Sequence, residues 1–216
     1  WRDVFRLSED LLTSTVVARL AYLPDEVLGE LLPTPPSRFR EHLPDPGFLT
    51  DVEFWPRLKV TEGTTDGSAD TVIPDVLLHF ENRLVVIEAK RSDDKTQQCT
   101  DQWEKEIQAV AANYPNVQED SVVLLALGGR TDNVDFPSDR CIIPLTWSAL
   151  QEAVVHYMEM EKGRSLTAPV RRVLRDLSLA LELGGYPPTL WPSHLADNRQ
   201  TGGFTIAPHN LTFPGK

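Results

Sequence analysis

Apolar residues in this chain change their period several times, and each change marks an element. Over residues 8–22, Leu12, Val16 and Leu20 recur at helical spacing, with Ser8 as N-cap and Glu9 and Asp10 in the first turn. Pro24-Asp25 restarts a shorter helix that runs to Leu32, and Pro33, Pro35 and Pro36 form a stiff break. Residues 37–50 predict a loop or a short helix. Residues 52–60 alternate partly, as a strand interrupted at Pro56, which suits an edge or a bulge. Residues 61–70, rich in Gly, Thr, Asp and Ser, predict a mobile loop.

Two apolar runs follow, 72–80 and 84–89, on either side of Glu81-Asn82-Arg83, and together they predict a β-hairpin. Residues 97–114 predict the clearest helix, its stripe formed by Trp103, Ile107, Val110, Ala111 and Tyr114. Residues 121–128 are apolar throughout, as expected of a buried parallel strand. Ile142, Ile143 and Leu145 predict a short strand broken by Pro144. Helices are expected at 147–161 and 169–183, the second stopped by Gly184-Gly185, before a Pro-, Gly- and Asn-rich tail from 186. No internal repeat is visible.

Three charges interrupt the hairpin: Asp75, Glu88 and Lys90. Charges in apolar β sequence are costly unless they are paired or bind an ion. If Glu81 and Asn82 form the turn, Phe80 faces Arg83 and Asp75 lies directly opposite Glu88, with Cβ atoms about 5 Å apart. A slip of two would put Asp75 opposite Lys90 instead. Glu88 and Lys90 point to the same side by strand alternation, so the three share a face in either register. Such a patch fits a divalent cation held by carboxylate oxygens, with an ammonium beside it to meet a water or a phosphate.

Pro74-Asp75, twelve further residues and then Glu88-Ala89-Lys90 resemble the PD-(D/E)xK nuclease superfamily. The predicted order of helix, strand, strand, strand, helix, strand also resembles that family's αβββαβ core. The resemblance implies an α/β, restriction-endonuclease-like fold with a mixed central sheet flanked by helices and extra C-terminal helices. A nuclease domain would span 1–185, with an insertion at 24–50 and added helices at 147–183, followed by a C-terminal arm at 186–216.

The resemblance further implies a nuclease that uses Mg²⁺ or Mn²⁺, held by Asp75 and Glu88. Lys90 would assist the attacking water, and cleavage would leave a 5′-phosphate. A glutamine on the long helix reaches the metal site in many members. Gln98, Gln102 and Gln108 compete for that place, with Gln102 chosen for its position beside the apolar stripe. Glu9, ahead of Asp10, matches the acidic residue on the first core helix, and Glu53 is a weaker competitor. A restriction or anti-phage defence setting is implied in the same way.

Ordinary readings stand beside these. Asp75 and Glu88 could be surface carboxylates, although Leu84 to Ile87 leave little room for an exposed strand. Lys90 could simply pair with Glu88, Gln102 could lie on a solvated face, and Glu9 could serve the first turn of its helix. Arg91 and Lys95 are the phosphate-contact candidates beside the patch, and a solvated loop accounts for them equally well. His79 shares the face of Asp75 but lies about 13 Å along the strand, outside contact with an ion there. His42, His156, His194 and His209 form no ligand spacing with it. Arg171, Arg172 and Arg175 form one basic helix face, by default a charged exterior.

Composition adjusts this picture at one point. With 216 residues, 41% hydrophobic and 25% charged, the chain can build one large domain. Its net charge of −11, from 21 basic and 32 acidic residues, runs against phosphate neutralisation. DNA is therefore favoured over RNA only through the resemblance, with a homodimer or a partner subunit as a further source of affinity. A binding or assembly module that keeps the fold without catalysis is the alternative. Cys99 and Cys141 are expected to be reduced core thiols in a cytoplasmic protein, their spacing matching no zinc pattern. No stretch has the length of a membrane span or the pattern of a signal peptide. The chain starts at Trp1 rather than Met, so it is expected to be a processed, trimmed or excised piece, with flanks that could hold further function.

Overall fold

A computed structural model describes residues 8–40, 43–60, 71–132, 134–160 and 166–189. The strands are β1 (Leu49–Phe54), β2 (Leu58–Lys59), β3 (Thr71–Val72), β4 (Val76–Phe80), β5 (Arg83–Ala89), β6 (Val123–Leu127) and β7 (Cys141–Leu145). The helices are α1 (Glu9–Leu20), α2 (Asp25–Leu31), α3 (Ser37–Arg40), α4 (Thr100–Asn113), α5 (Trp147–Met160) and α6 (Ala168–Gly184). The fold is α/β, with a mixed five-stranded sheet in the order β1-β4-β5-β6-β7. β4 runs antiparallel to both β1 and β5, whereas β5, β6 and β7 are parallel.

Strand alternation divides the core into two layers. Val76, Leu78, Ile87, Leu125 and Ile143 face a layer that includes Leu12, Leu28, Leu150 and Leu174, from α1, α2, α5 and α6. Leu77, Leu84, Val86 and Leu124 face Trp103, Ile107 and Val110 of α4. β6 is buried at every position because both of its faces are covered, as its unbroken apolar sequence requires. β7 tolerates Pro144 because it is an edge strand of the sheet.

The hairpin adopts the first register considered above, from Phe80↔Arg83 to Val76↔Ile87. Elsewhere the boundaries differ for identifiable reasons. The single strand expected over 52–60 is two: β1 begins earlier, at Leu49, and β2 leaves the main sheet to pair with β3. Between them Trp55 takes a left-handed backbone conformation, φ 51, and Pro56 has no amide with which to continue a ladder. The helix expected from 97 starts at Thr100, because Gln97 and Gln98 run extended against Arg130. Cys141 is a buried free thiol as expected, but Cys99 is exposed just ahead of α4 and is no core thiol.

The loop expected over 61–70 lies outside the described residues, as do His42, His194, His209 and the arm from 190 onward. No helix among the described residues is long and apolar enough to cross a membrane.

Candidate functional site

Asp75 stands one residue before β4, and the hairpin register continued by one step sets it opposite Glu88. Its Oδ2 accepts the Ala89 amide at 2.8 Å. Alternation puts both carboxylates on the α4 side of the sheet, in line with Leu77 and Val86. Glu88 is 3% exposed, and its Oε1 is paired with the Lys90 ammonium. Asp75 and Lys90 are half-buried.

The backbone after β5 is tied down from several elements. Lys90 donates its amide to Leu127 O at 2.8 Å, and its carbonyl accepts Trp147 Nε1 at 2.7 Å. Arg91 donates its amide to Glu9 Oε2 at 2.6 Å, and its carbonyl accepts the Tyr186 hydroxyl at 2.7 Å. α1, β6, α5 and the turn after α6 therefore fix the position from which the Lys90 side chain departs.

A further carboxylic acid completes the cluster, and it was not anticipated from the sequence. Glu106 on α4 is 1% exposed; its Oε1 accepts Gln102 Nε2 at 2.9 Å, and its Oε2 meets no donor. Beside it is the Glu88 carboxylate. Two carboxylates hydrogen-bond only through a shared proton, so burial and then the Glu88 charge hold the Glu106 carboxyl well above the usual range. The signal was in the sequence: Trp103, Glu106, Ile107 and Val110 lie on one helix face, and Glu106 is the charged member.

Electrostatics at Asp75 follow the same logic. Burial, then the charges of Glu88 and Glu9, raise its pKa to about 7, against the lowering effect of the Ala89 amide and Lys90. For Lys90, burial works to lower the pKa, but the Glu88 hydrogen bond and the charges of Glu88, Glu9 and Asp75 outweigh it and the ammonium is strengthened.

The shift at Asp75 has a stability consequence. A carboxyl raised to about 7 when folded, from 3.8, contributes stability below pH 4 that is lost as pH rises through 7. Asp75→Asn keeps an acceptor for the Ala89 amide and removes the ionisation. It is expected to exceed the parent in stability at pH 8 by roughly 1–2 kcal/mol, after allowance for partial exposure, with the gap closing by pH 4. Thermal melts in EDTA across that range check this; a gap that does not change with pH contradicts it.

The other candidates fall into distinct places. Glu9 reaches the site through the Arg91 amide and adds negative potential to it, whereas Asp10 is exposed. Gln102 is joined to the cluster through Glu106. Gln98 is a structural tie instead: its Nε2 lies 3.0 Å from Gly128 O, and its Oε1 accepts Trp103 Nε1 at 3.1 Å. Gln108 is exposed. The Arg91 backbone borders the site, and Lys95 is exposed on the connection to α4.

His79 and Glu53 form a separate group, with His79 Nε2 2.6 Å from Glu53 Oε1 and the Tyr114 hydroxyl donating to the same oxygen at 2.7 Å. Arg171, Arg172 and Arg175 are exposed on α6.

Among the described residues no three His, Cys, Asp or Glu side chains are arranged to hold a metal ion by themselves. Mg²⁺ seldom needs such a cage, since it is commonly held by one or two carboxylates with water and substrate phosphate. The donors present suit that mode: hard oxygens of Asp75 and Glu88, and beside them the Glu106 oxygen that lacks a donor.

Comparison with known proteins adds one relative. An uncharacterized protein of Pasteurella multocida (strain Pm70) is 32% identical over 123 residues. The match covers 56% of this chain and 43% of that protein, so the chain spans less than half the length of this relative. No family model matches the chain, and no solved structure matches it.

Proposed function

We propose that this chain is a metal-dependent phosphodiesterase of the restriction-endonuclease-like class, a nuclease acting on DNA in preference to RNA. The observation that carries the proposal is the imbalance of charge at one built site. Asp75, Glu88 and Glu9 surround the Lys90 ammonium, and Glu106 lies against Glu88, on a backbone held by four elements. An excess of carboxyl groups that forces protons onto Asp75 and Glu106 is the environment a divalent cation relieves.

In this reading Asp75 and Glu88 hold Mg²⁺ or Mn²⁺, and Glu106 and Gln102 support Glu88 from α4. The bound ion would lower the pKa of a coordinated water and neutralise charge on the scissile phosphate. Lys90, already charged and anchored, orients the attacking water and stabilises the negative charge that develops on the phosphate. Restriction or anti-phage defence is the setting that the family resemblance implies.

Single- and double-stranded DNA and RNA, each incubated with Mg²⁺ and with EDTA, test the activity: cleavage is expected in Mg²⁺ alone. Persistent inactivity of the folded protein on all four would overturn the proposal. The Glu88–Lys90 ion pair favours a second reading, a binding module in which the lysine has taken the place of an ion.

Calorimetry decides between them. Mn²⁺ added at pH 7 is expected to bind and to displace protons from Asp75 and Glu106, so its heat should differ between buffers of unlike ionisation enthalpy. Absence of binding selects the module.

A further inference from the structure

Trp55 combines an exposed aromatic ring with a strained backbone. It is 40% exposed at the end of an edge strand, and its φ of 51 is one that L residues adopt only under constraint. Glycine would adopt that conformation freely and is absent. Its aromatic neighbour is Phe54, tilted at 44° with centroids 5.7 Å apart.

Its position, by contrast, is closely specified. The β1–β4 register ends at Phe54↔Val76, so the next pair is Trp55 and Asp75, and the Trp55 amide donates to Asp75 O at 3.0 Å. Paired residues on neighbouring strands lie about 5 Å apart at Cα, within the span of a single nucleotide. On the other side of Pro74-Asp75, Ile73 is 45% exposed. Trp55 and Ile73, both exposed, therefore flank Asp75, the residue proposed to hold the metal ion at the scissile phosphate.

We propose that Trp55 is a stacking platform for an unpaired nucleobase beside the scissile phosphate, which makes single-stranded nucleic acid, or an unpaired end, the preferred substrate. This rests on the phosphodiesterase reading of Asp75, Glu88 and Lys90. Two physical points direct the inference to a base. A base offers its flat face to a protein ring only when it is unpaired or unstacked. Stacking also supplies affinity that does not depend on cationic groups, and a chain of net charge −11 has little of the counterion-release affinity on which basic nucleases draw. Binding is accordingly expected to weaken only modestly with added salt.

The test uses a short fluorescently labelled single-stranded DNA and the blunt duplex of the same sequence, bound by the intact chain with Ca²⁺ in place of Mg²⁺. Trp55→Gly removes the ring and relieves the backbone, so its melting temperature should equal or exceed the parent's while single-strand affinity falls about 5- to 150-fold. Trp55→Phe should recover much of that affinity, and duplex binding should change little in either variant. The parent's tryptophan emission should be quenched by the single strand, with the quenching reduced in Trp55→Phe.

A folded Trp55→Gly that binds single strands as the parent does would overturn the platform, as would an equal loss on single strand and duplex. If the parent cuts DNA while Trp55→Gly is unaffected, the platform falls and the nuclease reading stands. If the parent binds and cuts nothing, both fall.

Discussion

Asp75→Asn and Lys90→Ala are each expected to lower Mg²⁺-dependent cleavage by about 1000-fold, the scale of losing an ion's charge stabilisation or a placed electrostatic partner. Their stabilities should move in opposite directions. Asp75→Asn removes a carboxylate whose ionisation burial and the charges of Glu88 and Glu9 oppose, so at pH 8 the variant should melt higher than the parent. Lys90→Ala strands the Glu88 carboxylate, 3% exposed, without its ammonium. Leaving a buried charge unpaired costs about 3–5 kcal/mol, which for a chain of this size lowers the melting temperature by roughly 10 °C.

The pairing of results is what makes the test sharp. A loss of activity caused by loosened structure would follow stability, and Asp75→Asn would then be the more active of the two variants. Equal inactivity with opposite stability shifts assigns both side chains to the chemistry. Either variant cutting DNA in Mg²⁺ at the parent rate, while folded, ends the proposed mechanism.

Much of this arrangement was readable from the chain because strand geometry is periodic. A two-residue turn at Glu81-Asn82 fixes the pairing of every residue in the hairpin, so Asp75 could be set against Glu88 by arithmetic. The buried strand β6 and the helices α1 and α5 announced themselves through their apolar patterns, and α6 through the Gly184-Gly185 that stops it. What escaped depends on partners remote in sequence. The start of β1 lies among polar and loop-forming residues, and it is a strand because β4 supplies its ladder and Glu81 donates to Phe48 O at 3.0 Å. Glu9 reaches Arg91 across 82 residues.

Gln98 and Glu106 show the same limit at the level of single side chains. Nothing in the local pattern says that Gln98 spends its amide on the carbonyls at the ends of β5 and β6, which leaves Gln102 to face the carboxyl cluster. Glu106 does not stand out in the sequence, because a glutamate on an amphipathic helix ordinarily lies on the solvated side. It belongs to the stripe because the sheet face it packs on is not wholly apolar at that point but carries Glu88. A charged residue at a core position of a helix opposite a charged residue in a core strand is a pattern that becomes visible only once the two elements are known to pack together.

Gly128→Ala is expected to be the most destabilising small substitution near the site, although it touches no reacting group. Gly128 closes β6 with φ +66, and a Cβ there would lie 2.3 Å from Lys90 O and 2.5 Å from Trp147 Nε1. Those two atoms are themselves joined at 2.7 Å, in the hydrogen bond that holds the Lys90 backbone to the fully buried Trp147. Neither can yield easily: one is backbone in a bonded ladder and the other a fully buried ring stacked on Tyr186. The left-handed conformation adds about 1–2 kcal/mol and the broken buried hydrogen bond about 1–3 kcal/mol, so a loss near 4 kcal/mol is expected, or roughly 10 °C in melting temperature.

Gly129→Ala separates geometry from stability at the next position. Its Cβ, at φ +72, would meet Gln98 Cγ at 3.0 Å and Lys90 Cγ at 3.1 Å, both on side chains that can shift by a few tenths of an ångström. The expected stability loss is smaller, about 1–2 kcal/mol from the backbone conformation, while cleavage should fall further than that loss explains because the Lys90 stem is what moves. Thermal melts and cleavage rates of the two variants, compared side by side, check the assignment. If Gly128→Ala melts with the parent, the contact between Lys90 O and Trp147 is not what fixes the lysine in place.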